Sequence, residues 1–286
     1  MTRILKCVIS LAVFCAMFAG RIARALFGRA VPGRCMVLYY HSVPGDQRAR
    51  FARQLDVILR HAQTIDVTRP IALRPGGRYA GITFDDAFEN FIDEALPELR
   101  KRNMPSTMFV ISGGLGKGFG PAGHAEKVMS AEQLRSLPEE LVSIGSHTVS
   151  HPFLPELSAE LARGELLESK GALESLLKRE VSTFSFPFGG FSAGLVQLCR
   201  EAGYQRIFTT LPSFAFLRDS NEFVVGRIRV DPTDWPIEFR LKLAGAYNWL
   251  PLAFALKRKL RGNTSVERAV SQPAAERSMV REWSGS

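Results

Sequence analysis

Histidine is scarce in this chain: there are five among 286 residues, and none follows His151. Chemistry that needs a histidine late in the chain is thereby excluded. The stretch "GFSAG" (Gly190 to Gly194) fits the nucleophile elbow of a serine hydrolase, but that triad takes its histidine after the serine. Ser192 reads instead as a helix cap. Cysteine is almost as rare. Cys7, Cys15, Cys35 and Cys199 form no C-x-x-C pair, so neither a zinc–thiolate site nor a disulfide framework is indicated. Acidic residues are missing from Met1 to Arg34, where six basic residues occur. The uncharged run Val8 to Gly20 has thirteen residues, short of the ~20 a spanning helix needs and closer to a signal-peptide core. A small-x-small site, Ala23-Arg24-Ala25, carries an arginine that suits cleavage poorly. If the run does span, four of the six positive charges follow it and would place the next domain in the cytoplasm. A shallow interfacial anchor is the third reading. No stacking motif or basic core helix is present, so nucleic acid is not expected as a partner.

What the chain does have is 46% hydrophobic content, enough for one sizeable core, and a net charge of +9 concentrated at its ends. Near the C-terminus "AYNWLPLAFALKRKL" sets Trp249, Leu250, Leu252 and Phe254 beside the cations Lys257, Arg258 and Lys259. Apolar runs flanked by cations suit an anionic membrane surface. The expected division is a membrane-associating or signal-like segment at 1–30, one catalytic domain at 34–245, a basic amphipathic segment at 246–264 and an unstructured tail at 265–286. The expected location is a bacterial inner membrane, with the side left open.

Between the ends, short apolar runs alternate with helix-like stretches. "MVLYY", "GITF", "STMFVI", "LVSIG", "TFSF", "RIFTT" and "FVVGRIRV" read as strands. Helices are expected over 51–61, over 88–102 with Pro97 dividing it, from the capping box of Ser130 and Gln133 to Leu137, over 158–179, and from Ser192 to near Gly203. Such alternation implies an α/β fold with a parallel sheet, open or closed into a barrel.

Two motifs carry chemistry. "GSHTVSHPFL" places His147 and His151 four residues apart, a spacing that shares one face on a helical turn. A zincin reading fails because Thr148 stands where H-E-x-x-H needs glutamate. "ITFDDAF" ends a strand with adjacent aspartates, Asp85 and Asp86, which repel unless a cation lies beside them. The C-terminal mouths of parallel strands are where α/β enzymes build their sites. One carboxylate and two imidazoles make a three-ligand set for a divalent ion, zinc first, with cobalt or nickel also suited, and the other aspartate is left free to act as a base.

With "TFDDA", "SHTVSHP", "PSTMFV", "STFSFPFGG", "AGYQRIFTT" and "VDPTDW" in this order, the chain resembles the polysaccharide deacetylases, the NodB-homology family of carbohydrate esterases, over about seven-tenths of its length. The resemblance implies a distorted (β/α) barrel and metal-dependent removal of acetyl groups from an N-acetylated glycan or a lipid-linked sugar. It implies that Asp86, His147 and His151 bind the metal and that Asp85 is the general base. It further implies that the loop of Pro187 and Phe188, through the Phe188 N–H, stabilises the oxyanion. Two departures stand out. Ser185 occupies the place of the family's base-orienting arginine, and the late histidine that serves many members as acid is missing. "LYYHSV" resembles a subgroup with an early Tyr-His segment, which implies His41 as the acid, its pKa raised by a nearby carboxylate. Arg227, Asp231 and Asp234 are weaker candidates for orienting Asp85 or shaping the groove. His61 and His124 read as ordinary. The alternative is a catalytically weak, membrane-associated family member that binds glycan without processing it.

Overall fold

Strand parity decides how the core is divided. The computed structural model describes residues 2–120, 125–217 and 222–260, with the side chains of 257–260 left out. Its strands are β1 (Arg34–Tyr40), β2 (Gln63–Thr64), β3 (Arg78–Phe84), β4 (Ser106–Val110), β5 (Gly118–Phe119), β6 (Glu126–Lys127), β7 (Val142–Ser146), β8 (Thr183–Ser185), β9 (Arg206–Thr209) and β10 (Val224–Arg229). Pairing is parallel in the order β1-β10-β9-β8-β7-β4-β3, and β3 pairs back onto β1, which closes a seven-stranded barrel. β2 occupies the early part of the β3 edge that β4 takes up later. β5 and β6 form a separate antiparallel hairpin.

Odd positions of β1 point into the barrel: Cys35 and Val37 pack there with Phe109, Phe208 and Val225. Even positions, Met36, Leu38 and Tyr40, pack outward with Ile82, Phe84 and Met108 under the helices. The same parity carries Tyr39, Thr83, Asp85 and Arg227 inward, so the upper part of the barrel interior is polar. The helices are α1 (Arg3–Leu26), α2 (Arg48–His61), α3 (Leu96–Lys101), α4 (Ala131–Arg135), α5 (Ala159–Leu177), α6 (Ala193–Glu201), α7 (Pro236–Leu243) and α8 (Leu250–Leu260). Ser130, Ser158 and Ser192 cap α4, α5 and α6 as expected, and Ser130 with Gln133 forms both halves of a capping box. The stretch expected as one helix with a division at Pro97 is a π-helical turn (Phe91–Ala95) running into α3, with Pro97 in the first turn of α3.

The N-terminal helix is longer than its uncharged run. α1 continues through Arg21 and Arg24, because exposed arginines are good helix formers, and by length and composition it could cross a membrane. It packs along the barrel wall. Arg3 is bonded to Glu238 (2.7 Å) in the first turn of α7 and to the Thr233 carbonyl (3.0 Å), Cys7 Sγ meets Tyr247 Oη (3.3 Å), and Trp249 Nε1 donates to Ser10 Oγ (2.9 Å). Trp249 is therefore spent on tying α8 to α1. The segment expected to lack structure, 265–286, lies outside the described residues, as does His124.

Candidate active site

The register of β1 on β3 assembles the first half of the site. Tyr40 pairs with Phe84, and the Asp85 N–H donates to the Tyr40 carbonyl (2.9 Å), so His41 and Asp85 leave their strands side by side at the C-terminal mouth. Asp85 is buried and gripped at both oxygens by Arg227, Nη1 to Oδ1 at 2.7 Å and Nη2 to Oδ2 at 2.9 Å. The same guanidinium donates to Thr83 Oγ1 (2.9 Å) and to Ser185 Oγ (2.6 Å). Arg227 itself has no exposed surface and lies 4.6 Å from the Tyr39 ring centre and 5.1 Å from that of Phe109. Burial pushes the Asp85 carboxyl up, but Arg227 and His147 outweigh it and hold the group down to about 2. Arg227 thus supplies, from β10, the charge that Ser185 does not. The sequence signal for it is its inward parity, two residues beyond Val225, a parity that Arg229 shares.

Asp86 turns the other way. Its φ of 72° is left-handed, and its Oδ1 lies 3.5 Å from His147 Nε2 and 3.4 Å from His151 Nε2. One ligand atom from each of these residues falls within 4.8 Å of the others. The His147 ring is oriented from behind, since Nδ1 donates to the Ser185 carbonyl (2.8 Å) and leaves the Nε2 lone pair aimed at Asp86. Burial lowers the pKa of both imidazoles, which keeps them neutral and able to coordinate. Two neutral imidazole lone pairs facing a carboxylate oxygen are mutually repulsive, and His151 Nδ1 is buried with no hydrogen-bond partner. A divalent cation fits this set, because three donors converge on one point.

The two histidines do not converge by a helical turn. Thr148 and His151 have φ of 70° and 58°, and the loop doubles back in a left-handed conformation. α5 holds it. Glu165 accepts from the N–H groups of Val149 (2.7 Å) and Ser150 (3.0 Å) and from the Ser150 hydroxyl (2.6 Å), while Ser169 donates to the Thr148 carbonyl (3.0 Å). Ahead of the loop, Gly145 lacks the Cβ that would come within 2.5 Å of the Phe109 ring. Of the eight described non-glycine residues with positive φ, five (Asp86, Ala87, Thr148, His151 and Phe188) belong to this site. Strain of about 1–3 kcal/mol each persists only where surroundings dictate it. Glu165 and Ser169 escaped the sequence reading because nothing distinguishes a loop-binding glutamate from a surface one in a helical pattern.

Phe188 has φ 54° and follows the buried Pro187; its ring sits 4.5 Å from that of His151, edge-on, and so braces that imidazole. His41 sits 5.6 Å from Tyr39, ring to ring. Its pKa departs from expectation: burial, aided by Arg229, His147 and Arg227, outweighs the attraction of Asp85 and pushes it down to about 4. Asp231 and Asp234 do not orient Asp85. Asp231 caps its own turn through Thr233 N (2.8 Å), and Asp234 pairs with Lys242 (2.7 Å) in a cluster with Glu238 and Arg3. Two residues past β10 the chain has left the barrel interior and turned toward α7, which is why their charge is used there. His61 lies at the end of α2, away from the mouth.

Residues 73–207 match the protein family described as polysaccharide deacetylase. That stretch is just under half of the chain. Among curated relatives, YxkH of Bacillus subtilis (strain 168), named "Putative polysaccharide deacetylase", is 30% identical over 159 residues, 56% of this chain and 54% of that protein. The chain spans about half the length of the curated relatives it matches. The barrel is similar to that of IcaB from Ammonifex degensii, with a TM-score of 0.65 and 24% identity over 76% of this chain and 98% of that one. The Streptococcus pyogenes deacetylase PplD, solved with acetate, gives 0.62 and 22% over 74% and 99%. At these identities the likeness speaks for the fold.

Proposed function

We propose that this chain is a metal-dependent N-deacetylase that hydrolyses the acetamide C–N bond of N-acetylhexosamine units in a glycan and releases acetate. The observation that carries the reading is the convergence of Asp86, His147 and His151 beside a second carboxylate, Asp85, which Arg227 keeps ionised. A divalent ion held by the triad would supply Lewis acidity and lower the pKa of a coordinated water; two imidazoles and a carboxylate favour zinc, then cobalt or nickel.

Asp85 takes the proton of the attacking water. Because Arg227 stabilises the carboxylate, protonated Asp85 is a strong acid and does not keep that proton. His41, neutral at pH 7 and placed beside Asp85 by the β1–β3 register, is assigned the transfer to the departing amine nitrogen. The Phe188 N–H is assigned the oxygen on which negative charge develops. The products are acetate and a free amine.

The binding-only reading rested on a missing arginine and a missing late histidine, and Arg227 removes the first of these supports. At the termini, α1 is proposed to lie on an anionic membrane: Ile4, Val8, Leu11, Phe18 and Ile22 form one exposed apolar face, while its other face packs on the barrel. Incubating the full chain with N-acetylglucosamine oligomers tests the enzymatic proposal. Acetate should appear, cease on chelation and return with zinc; metal-loaded protein that binds the oligomers and releases none would favour the binding-only reading.

A further inference from the structure

A cavity of ≈ 470 Å³ lies at the opposite end of the barrel from the site, between α1 and the beginnings of β1 and β3. Four arginines line it: Arg21 from α1, Arg34 and Arg78 from the first positions of the two strands, and Arg240 from α7. Among the described residues no aspartate or glutamate does. Arg34 and Arg78 are direct partners in the β1–β3 register, so two like charges are stacked side by side by the sheet itself. The Arg34 guanidinium is half-buried against the Phe214 ring, 4.4 Å from its centre. Burial and the charges of Arg21 and Arg78 push its pKa down to about 10, the mark of a cation crowded by cations.

Apart from His61 and Tyr79 the rest of the wall is apolar, with Phe14, Phe18, Ile22 and Leu243 among its residues. Phe18 and Ile22 are also 58% and 48% exposed and belong to the apolar face of α1. Arg78 and Arg240 are exposed and Arg21 and Arg34 half-buried, so the cationic and the apolar parts of the lining both reach the surface. An occupant matching both features has an anionic head that accepts several guanidinium hydrogen bonds and an apolar part that remains outside. α1 runs along the barrel wall, from Glu238 at the start of α7 to Arg240 and Ala244 near its end. On the membrane reading of α1, a helix held this way would lie in the plane of a bilayer surface, with the cavity at headgroup depth.

We propose that this arginine-lined cavity binds the phosphate headgroup of an anionic membrane phospholipid. The proposal rests on the membrane reading of α1 and adds to it a discrete, saturable site. The full-length, metal-loaded protein is titrated calorimetrically with dihexanoyl phosphatidylglycerol below its micelle concentration, a measurement that involves no membrane. One site per chain is expected, with matched phosphatidylcholine at least tenfold weaker. Arg34→Gln combined with Arg78→Gln should weaken binding tenfold or more. Arg24→Gln with Arg29→Gln, whose side chains do not line the cavity, should leave it unchanged. Ile22→Trp, made on the exposed helix and harmless to the barrel, should block entry even if the strand variants fold poorly. Equal binding of the two lipids, indifference to both the arginine pair and Ile22→Trp, or displacement by inorganic phosphate at equal concentration would overturn the proposal. Flotation with phosphatidylglycerol vesicles tests the membrane reading separately: flotation without a titratable site defeats the cavity alone, and a titratable site without flotation defeats the anchor alone.

Discussion

β1 and β3 begin and end in opposite chemistry. They start at Arg34 and Arg78, cations with no carboxylate beside them, and they finish at His41, Asp85 and Asp86, where acceptors crowd together. Seven residues of strand, about 20 Å, separate the two. Within the mouth there is a second contrast. Arg227 is a buried cation that the fold pairs itself, with a carboxylate in its fork and two hydroxyls behind, its Nε alone left without a hydrogen bond. The Asp86–His147–His151 set is an acceptor cluster that the fold strains its backbone to assemble. Charges the chain pairs internally position other groups; charges it leaves facing one another mark where something else binds.

The contrast breaks most completely at the ligands. His147→Ala or His151→Ala should abolish stoichiometric zinc binding and reduce acetate release to background, beyond the ~10–100-fold typical of an outer-shell change. Metal analysis beside circular dichroism checks this, and a variant that keeps its zinc and turnover removes the triad.

Next in size is Arg227. Arg227→Met strands a carboxylate in the barrel and should destabilise the fold by about 3–5 kcal/mol in denaturant unfolding. Arg227→Lys keeps the charge and loses the fork. With Asp85 held down to about 2, the pair's contribution to stability is present above the ordinary carboxylate range, near ~4, and is lost as pH falls through about 2. In Arg227→Lys the loss should begin at higher pH, and the acid limb of the rate profile should move up with it. An unshifted profile would leave Arg227 a purely structural residue.

A smaller effect is expected at His41. His41→Ala should leave zinc bound and slow turnover by ~10²-fold or more. Normal turnover would show that protonated Asp85 serves the amine directly. Smallest for catalysis is the removal of residues 1–30. It should abolish flotation with anionic vesicles yet lower acetate release from soluble oligomers less than twofold; a larger loss would mean that the barrel depends on Arg3, Cys7 and Ser10 for its integrity.

Much of this molecule is legible in its sequence, and the exceptions are instructive. The strands, the serine caps and the metal motif follow from local pattern, because parity, capping and adjacent aspartates are short-range signals. Convergence of His147 and His151 was also legible, but not its route: a helical turn and a left-handed loop give the same spacing, and Glu165, which selects the loop, is contributed by a different element. Arg227 could be suspected, yet only barrel closure places β10 opposite Asp85. Asp231 and Asp234 do not orient Asp85, because two residues carry the chain from the barrel mouth to α7. His41 was placed correctly at a strand end, but its pKa depends on Arg229, Arg227 and His147 gathered around it.

The central claim is that one aspartate of the adjacent pair holds metal and the other handles the proton. Zinc content and acetate release, measured together on the wild-type protein and on Asp85→Asn, test it most directly. The account predicts one zinc per chain in both, with release slowed ~10²-fold or more in the variant. Loss of zinc with Asp85→Asn, or an undiminished rate, would contradict it.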